Sequence, residues 1–234
     1  MMYYQSPNVQ HGSKIACFGW NKCLVTTSLY QRTVEAWKLR YINVPDKLKE
    51  LHENGYKLVI FCNDSYIGQA KTEDTRSRAI SHQTARMGNF LELVGLPFQI
   101  FVATTRTSRK GAPPIVDPFR KPAPGMWHFL LEQCNGGIAP DMATCFYVGG
   151  AAGRTKEAAK RADHSDYDVK FAESAGLIYY TDDQYFGIEK KQPGPSNPHK
   201  KKKDAAAEAA GEPAGESAGE AVEGETPAAK EIEQ

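Results

Sequence analysis

The chain has no apolar run approaching 18 residues, so no segment reads as a membrane-spanning helix. Its N-terminus, Met1–Gly12, lacks both a secretory apolar core and the Arg-rich amphipathic pattern of a transit peptide. Five cysteines (17, 23, 62, 134 and 145) form no C-x-x-C pair and have no histidine at ligand spacing, which excludes a disulfide framework and a zinc site. The six histidines are scattered, and G-x-x-x-x-G-K-[ST] is absent, so no nucleotide-binding P-loop is expected. These absences together describe a soluble, intracellular chain kept in a reducing compartment. Cys17 and Cys62 stand in apolar stretches, where a thiol acts as a small hydrophobe.

Net charge is nearly missing as well, at +1, but that figure conceals a division. Residues 204–234 hold nine Asp/Glu and one Lys, a net of −8, while residues 1–203 hold 28 basic and 19 acidic residues, a net of +9. Only the body favours a polyanion. The acidic segment is rich in Ala, Glu and Gly and nearly free of large apolar residues, so it cannot bury enough surface to offset its ordering entropy. Disorder is expected there. Before it stand a Pro-rich linker, Pro193–Pro198, and four lysines, Lys200–Lys203, which suit a nuclear-localisation signal; a cytoplasmic location is the alternative.

The body alternates short apolar runs with helical patterns. Strands are expected within Lys14–Thr27 and at Tyr56–Phe61, Phe98–Ala103, Cys145–Val148 and Leu177–Tyr180. Helices are expected at Pro45–Glu53, at 72–94 with Thr72 or Asp74 as cap, and at Pro124–Cys134. In the long helix the apolar face reads as Ile80, Ala85, Met87, Phe90, Leu91 and Val94. Strands separated by helices imply an α/β three-layer sandwich around a central parallel sheet. Ligands of such sheets bind beyond the carboxyl ends of the strands. There lie residues 19–23, 62–64, 104–121 and 149–154; the loop 104–119 adds Arg106, Arg109, Lys110 and Pro113-Pro114. The expected organisation is an N-terminal extension 1–11, one domain 12–190, a linker 191–203 and the tail 204–234.

Several ordered blocks carry a family resemblance: Gly55–Phe61, Pro97-Phe98-Gln99, Arg120-Lys121-Pro122, Gly125-Met126-Trp127, Phe146–Gly149, Ala151–Arg154 and Thr181–Phe186. Residues 12 to about 187 resemble the phosphatase domain of the polynucleotide kinase 3′-phosphatases, within the haloacid dehalogenase (HAD) superfamily. The resemblance implies a HAD-like sandwich and a Mg²⁺-dependent phosphatase, in which one Asp attacks phosphorus and a second protonates the leaving alkoxide. In that family the first strand ends F-D-x-D-G-T-L and a later one V-G-D-A-A-G-R.

Here Gly19 stands at the nucleophile, Asn21 at the general acid and Gly150 at a metal ligand. No catalytic residue and no metal or other cofactor is therefore expected; the three positions are vestigial. Cys23 stands at the motif's Thr position, where Lys22 would lower the pKa of a substitute thiolate nucleophile, but no C-x₅-R loop surrounds it and a packed or exposed thiol is expected. Lys121 and Asn63 match family residues around the phosphate, and Lys22 adds a cation beside the lost metal site, so these three are candidates for holding a phosphate or other anion. The expectation is a pseudophosphatase: a binding or scaffold subunit of a nucleic-acid-processing or DNA-repair complex, with a protein partner, a possible nucleic-acid contact through backbone or 3′ end, and no membrane. The alternatives are a residual or divergent 3′-phosphatase and a structural subunit of a ribonucleoprotein.

Overall fold

Apolar side chains on both faces of the inner strands force a layer of helices onto each side. The computed structural model describes residues 1–27, 33–106, 108, 111, 113, 115–156 and 162–187. Expectations on Arg109, Lys110, Pro114, the linker, Lys200–Lys203 and the tail lie outside these residues. The chain divides into Met1–Gln192 and Pro193–Gln234, and the fold below concerns the first.

Its main sheet has six strands: β1 (Met2–Gln5), β2 (Ile15–Gly19), β5 (Lys57–Asn63), β6 (Phe98–Ala103), β7 (Phe146–Gly149) and β8 (Ile178–Thr181). Their order is β1-β6-β5-β2-β7-β8. The last five are mutually parallel, and β1 closes one edge antiparallel to β6, with Met2 opposite Val102 and Gln5 opposite Gln99. The sheet is thus mixed rather than wholly parallel, because residues read as an extension supply a strand. A separate hairpin, β3 (Val25–Thr27) and β4 (Trp37–Leu39), follows β2.

Alternation along the strands divides the core in two. Ala16, Phe18, Ile60, Ile100 and Val148 pack beneath α1 (Val44–Glu53) and α3 (Glu73–Val94). Cys17, Val59, Phe61, Phe101 and Tyr147 face α4 (Gly125–Gln133) and α5 (Tyr167–Ala175) on the other side. The three-layer HAD-like sandwich is therefore present. Short helices α2 (Ser65–Gln69) and α6 (Asp182–Phe186) follow β5 and β8.

Thr72 caps α3 in a reciprocal capping box with Thr75, and Gly95 ends it at φ 64°, a left-handed conformation that suits glycine. Its buried face is Ala79, Gln83, Met87 and Phe90. Ile80 and Ala85, expected inward, are only half-buried, because the sheet selects the i, i+4, i+8, i+11 stripe.

Candidate functional site

β2, β5, β6 and β7 end together, and their following loops enclose a cleft of about 320 Å³. Its walls include Trp20, Lys22, Asn63, Arg120, Lys121 and Asp168. A second cleft of about 250 Å³ shares Trp20, Asn21, Cys62, Asn63 and Ser65 with the first.

Gly19 is the last residue of β2 and is buried, next to Trp20 of the cleft lining. A Cβ built there would lie 3.2 Å from Tyr147 Oη and 3.6 Å from Asp168 Oδ2, a tight but nearly tolerable fit. Gly150 is different. A Cβ there would lie 2.1 Å from the Lys22 carbonyl oxygen and 2.9 Å from Lys22 Cβ. The main chain of Lys22, at φ 63°, fills the volume an aspartate side chain would need. Asn21 is exposed and its Oδ1 accepts the Thr27 backbone N–H at 3.3 Å, bracing the turn into β3.

Lys121 is buried, and its ammonium donates to Phe61 O at 2.9 Å, Tyr147 Oη at 2.7 Å and Asp168 Oδ1 at 2.7 Å. Those three bonds use every N–H of a lysine. Tyr147 Oη also donates to Asp168 Oδ1 at 2.8 Å, and Asp168 Oδ2 accepts from Ala151 N at 2.9 Å. Asn63 clasps the Lys121 peptide, donating to its carbonyl at 2.9 Å and accepting from its N–H at 3.0 Å. Lys121 and Asn63 are thus committed to the protein itself. Lys22, half-buried in the cleft wall, places Nζ 3.3 Å from His164 Nδ1. Sequence reasoning overlooked His164 because it stands alone in the sequence, 142 residues from Lys22.

Cys23 is fully buried, and its thiol donates to the Val148 carbonyl at 3.1 Å. Burial pushes this thiol well above its ordinary pKa, with Asp182 and Asp168 adding to the rise; Lys121 and a backbone bond from Gly19 only partly oppose it. Lys22 does not activate it. The native chain is therefore expected to resist iodoacetamide at Cys23 while the urea-unfolded chain is labelled, as peptide mass mapping would show. Rapid native labelling at Cys23 would contradict this geometry.

The loop after β7 is held by Arg154, which pairs with Asp163 at 2.8 Å, Asp182 at 3.0 Å and Asp183 at 2.8 Å, and donates to Gly150 O at 3.0 Å. Arg40 and Tyr41 bind Asp182 from the opposite side. Arg154→Met is expected to lower stability by about 2–3 kcal/mol, since charged hydrogen bonds are lost and carboxylates are left unpaired. Urea unfolding measures this, and a loss below about 0.5 kcal/mol would mark the network as dispensable.

The residues present do not fit Mg²⁺, a hard cation that seeks carboxylate oxygens. Positions 19, 21 and 150 offer none, Asp168 is committed to Lys121, Tyr147 and Ala151, and an ammonium stands at the cleft mouth. Among the described residues no group of three or more His, Cys, Asp or Glu is placed to hold a metal. No helix among them is long and apolar enough to cross a membrane.

Comparison with known proteins agrees with the fold. A crystal structure from Mesorhizobium loti, assigned to the HAD-like phosphatases, superposes with a TM-score of 0.53 over 75% of each chain at 18% identity, a likeness of fold alone. Polynucleotide 3′-phosphatase ZDP of Arabidopsis thaliana is 42% identical over 181 residues, 77% of this chain and 25% of that protein. The bifunctional polynucleotide phosphatase/kinase of Schizosaccharomyces pombe is 31% identical over 180 residues, 74% of this chain and 37% of that protein. The chain therefore spans between a quarter and two fifths of these relatives. The profile of the polynucleotide kinase 3 phosphatase family matches residues 14–186, and with that match over most of its length the chain belongs to this family.

Proposed function

We propose that this chain is a catalytically inert, polynucleotide 3′-phosphatase-like protein that binds where its relatives cut, serving as a subunit of a nucleic-acid-processing or DNA-repair assembly. One observation carries the reading. The three positions that need carboxylates hold Gly19, Asn21 and Gly150, and the Lys22 backbone has closed over the last of them. Phosphoryl transfer to the protein requires a nucleophile and a proton donor, and groups that act as a unit fail together.

Binding, by contrast, needs only shape and positive charge. The cleft keeps its position at the carboxyl ends of the strands, with Lys22 and Arg120 in its wall. The ligand is a 3′-phosphorylated strand, taken up without Mg²⁺, and phosphate contacts make its affinity fall with salt. The basic body and the lysine cluster Lys200–Lys203 fit a nuclear role, and a protein partner would hold the subunit in place.

The experiment is fluorescence anisotropy with a 3′-phosphorylated single strand, in EDTA and in Mg²⁺. Saturable binding that is equal in both and weakened in Lys22→Ala supports the reading. A flat isotherm in both would end it, and chelator-sensitive release of phosphate would favour a residual phosphatase instead.

A further inference from the structure

His164 is exposed at the mouth of the cleft beside Lys22. An ammonium can only donate, so the 3.3 Å contact requires a lone pair on Nδ1 and an imidazole unprotonated there. Burial, the Lys22 ammonium and Lys121 hold this histidine below its ordinary pKa, while Asp168 and Asp163 pull the other way. Arg120, Tyr167 and Cys62 are the other charged or titratable groups lining the cleft; Arg120 is already bonded to Thr105 O and Ser65 Oγ, and burial pushes the Cys62 thiol up to about 12. Asp163 is engaged by Arg154, and Asp168 by Lys121.

Two residues of the cleft lining also carry unpaired polar atoms. Trp20, 3% exposed, lines both clefts, and its indole N–H has no acceptor among the described residues. Ser165 Oγ is likewise buried and without a partner there, beside His164 in the cleft wall. Buried donors are seldom left unpaired.

We propose that the cleft takes up a terminal phosphate together with a proton, His164 changing from acceptor of the Lys22 ammonium into a second cation that faces the anion. No bond is made or broken in the ligand, and the proton comes from solvent. This rests on the binding reading above and adds its regulation: affinity rises as pH falls toward the acid side of neutral. The sign follows from the linkage. Partial burial and the Lys22 ammonium lower the pKa of the free imidazole, a bound anion would raise it, and binding therefore takes up a proton between the two pKa values.

The test measures affinity of the full chain for a 3′-phosphorylated strand from about pH 7.5 to about pH 5.5, beside His164→Gln, whose amide oxygen can still accept from Lys22 but does not titrate. Calorimetry in two buffers of different ionisation heat counts the protons. The expected result is tightening of up to about tenfold per pH unit in the native chain relative to His164→Gln, with net proton uptake lost in the variant. Because the ligand phosphate titrates in the same range, the comparison between proteins decides. Equal pH profiles with binding intact would overturn the proton switch and leave the binding reading standing. Absence of binding at every pH would overturn both.

Discussion

Aspartates introduced together at positions 19, 21 and 150 are expected to leave the chain without Mg²⁺-dependent release of phosphate from a 3′-phosphorylated DNA strand. On the proposed reading the native chain is expected to give the same result, with turnover at least about 10⁴-fold below that of a relative carrying all three carboxylates. Residue identity explains the native result; backbone position explains the failed rescue. At Gly19 a new side chain meets Tyr147 Oη at 3.2 Å from Cβ, and a small shift accommodates it. At Gly150 a Cβ meets the Lys22 carbonyl oxygen at 2.1 Å, and a backbone atom cannot rotate away as a side chain does. The overpacked variant loses about 1–3 kcal/mol and its new carboxylate is displaced from the site. Adding Lys22→Gly removes the side chain from a left-handed position that glycine adopts freely, and turnover is expected only in this fourfold variant. Release of phosphate from 3′-phosphorylated DNA, with and without chelator, is the measurement. Activity in the threefold variant would show that the turn does not block the site.

Lys121→Met is expected to cost about 3–5 kcal/mol, because it leaves the buried Asp168 carboxylate without its cation. For a domain of this size the melting temperature falls by roughly 10 °C. The double variant Lys121→Met/Asp168→Asn should recover most of that loss. A neutral amide at 168 can still accept from Ala151 N and donate to Tyr147 Oη, so no charge is stranded. Urea unfolding of both variants gives the coupling directly. A single change costing under about 1 kcal/mol would mean that the ammonium points to the cleft rather than to Asp168.

The inner sheet was legible because Ile15–Gly19, Lys57–Asn63 and Phe98–Ala103 are apolar on both faces, the signature of strands covered on both sides. The edge was not. Met2–Gln5 is short, half aromatic, and pairs with residues nearly a hundred positions away. Nor does anything before α5 announce a helix, since Asp166 makes no side-chain cap.

At the site, the residue types at 19, 21 and 150 are plain in the sequence, and the proposed reading starts from them. The arrangement of what remains is not. Lys121 meets Asp168 across 47 residues, Lys22 meets His164 across 142, and the carbonyl over Gly150 belongs to a backbone conformation that no residue type encodes by itself. Cys23, rejected as a nucleophile from the sequence, is a packed thiol; only the lowering of its pKa by Lys22 fails, because the two side chains diverge, one to the cleft and one to the core.

The carbonyl of Lys22 over Gly150 also bears on how this lineage can change. An aspartate regained at 150 first meets a collision, and a turn loosened first has no carboxylate to accommodate. Neither change alone makes room for a carboxylate there, so residue 150 and the Lys22 turn are coupled and would have to change together.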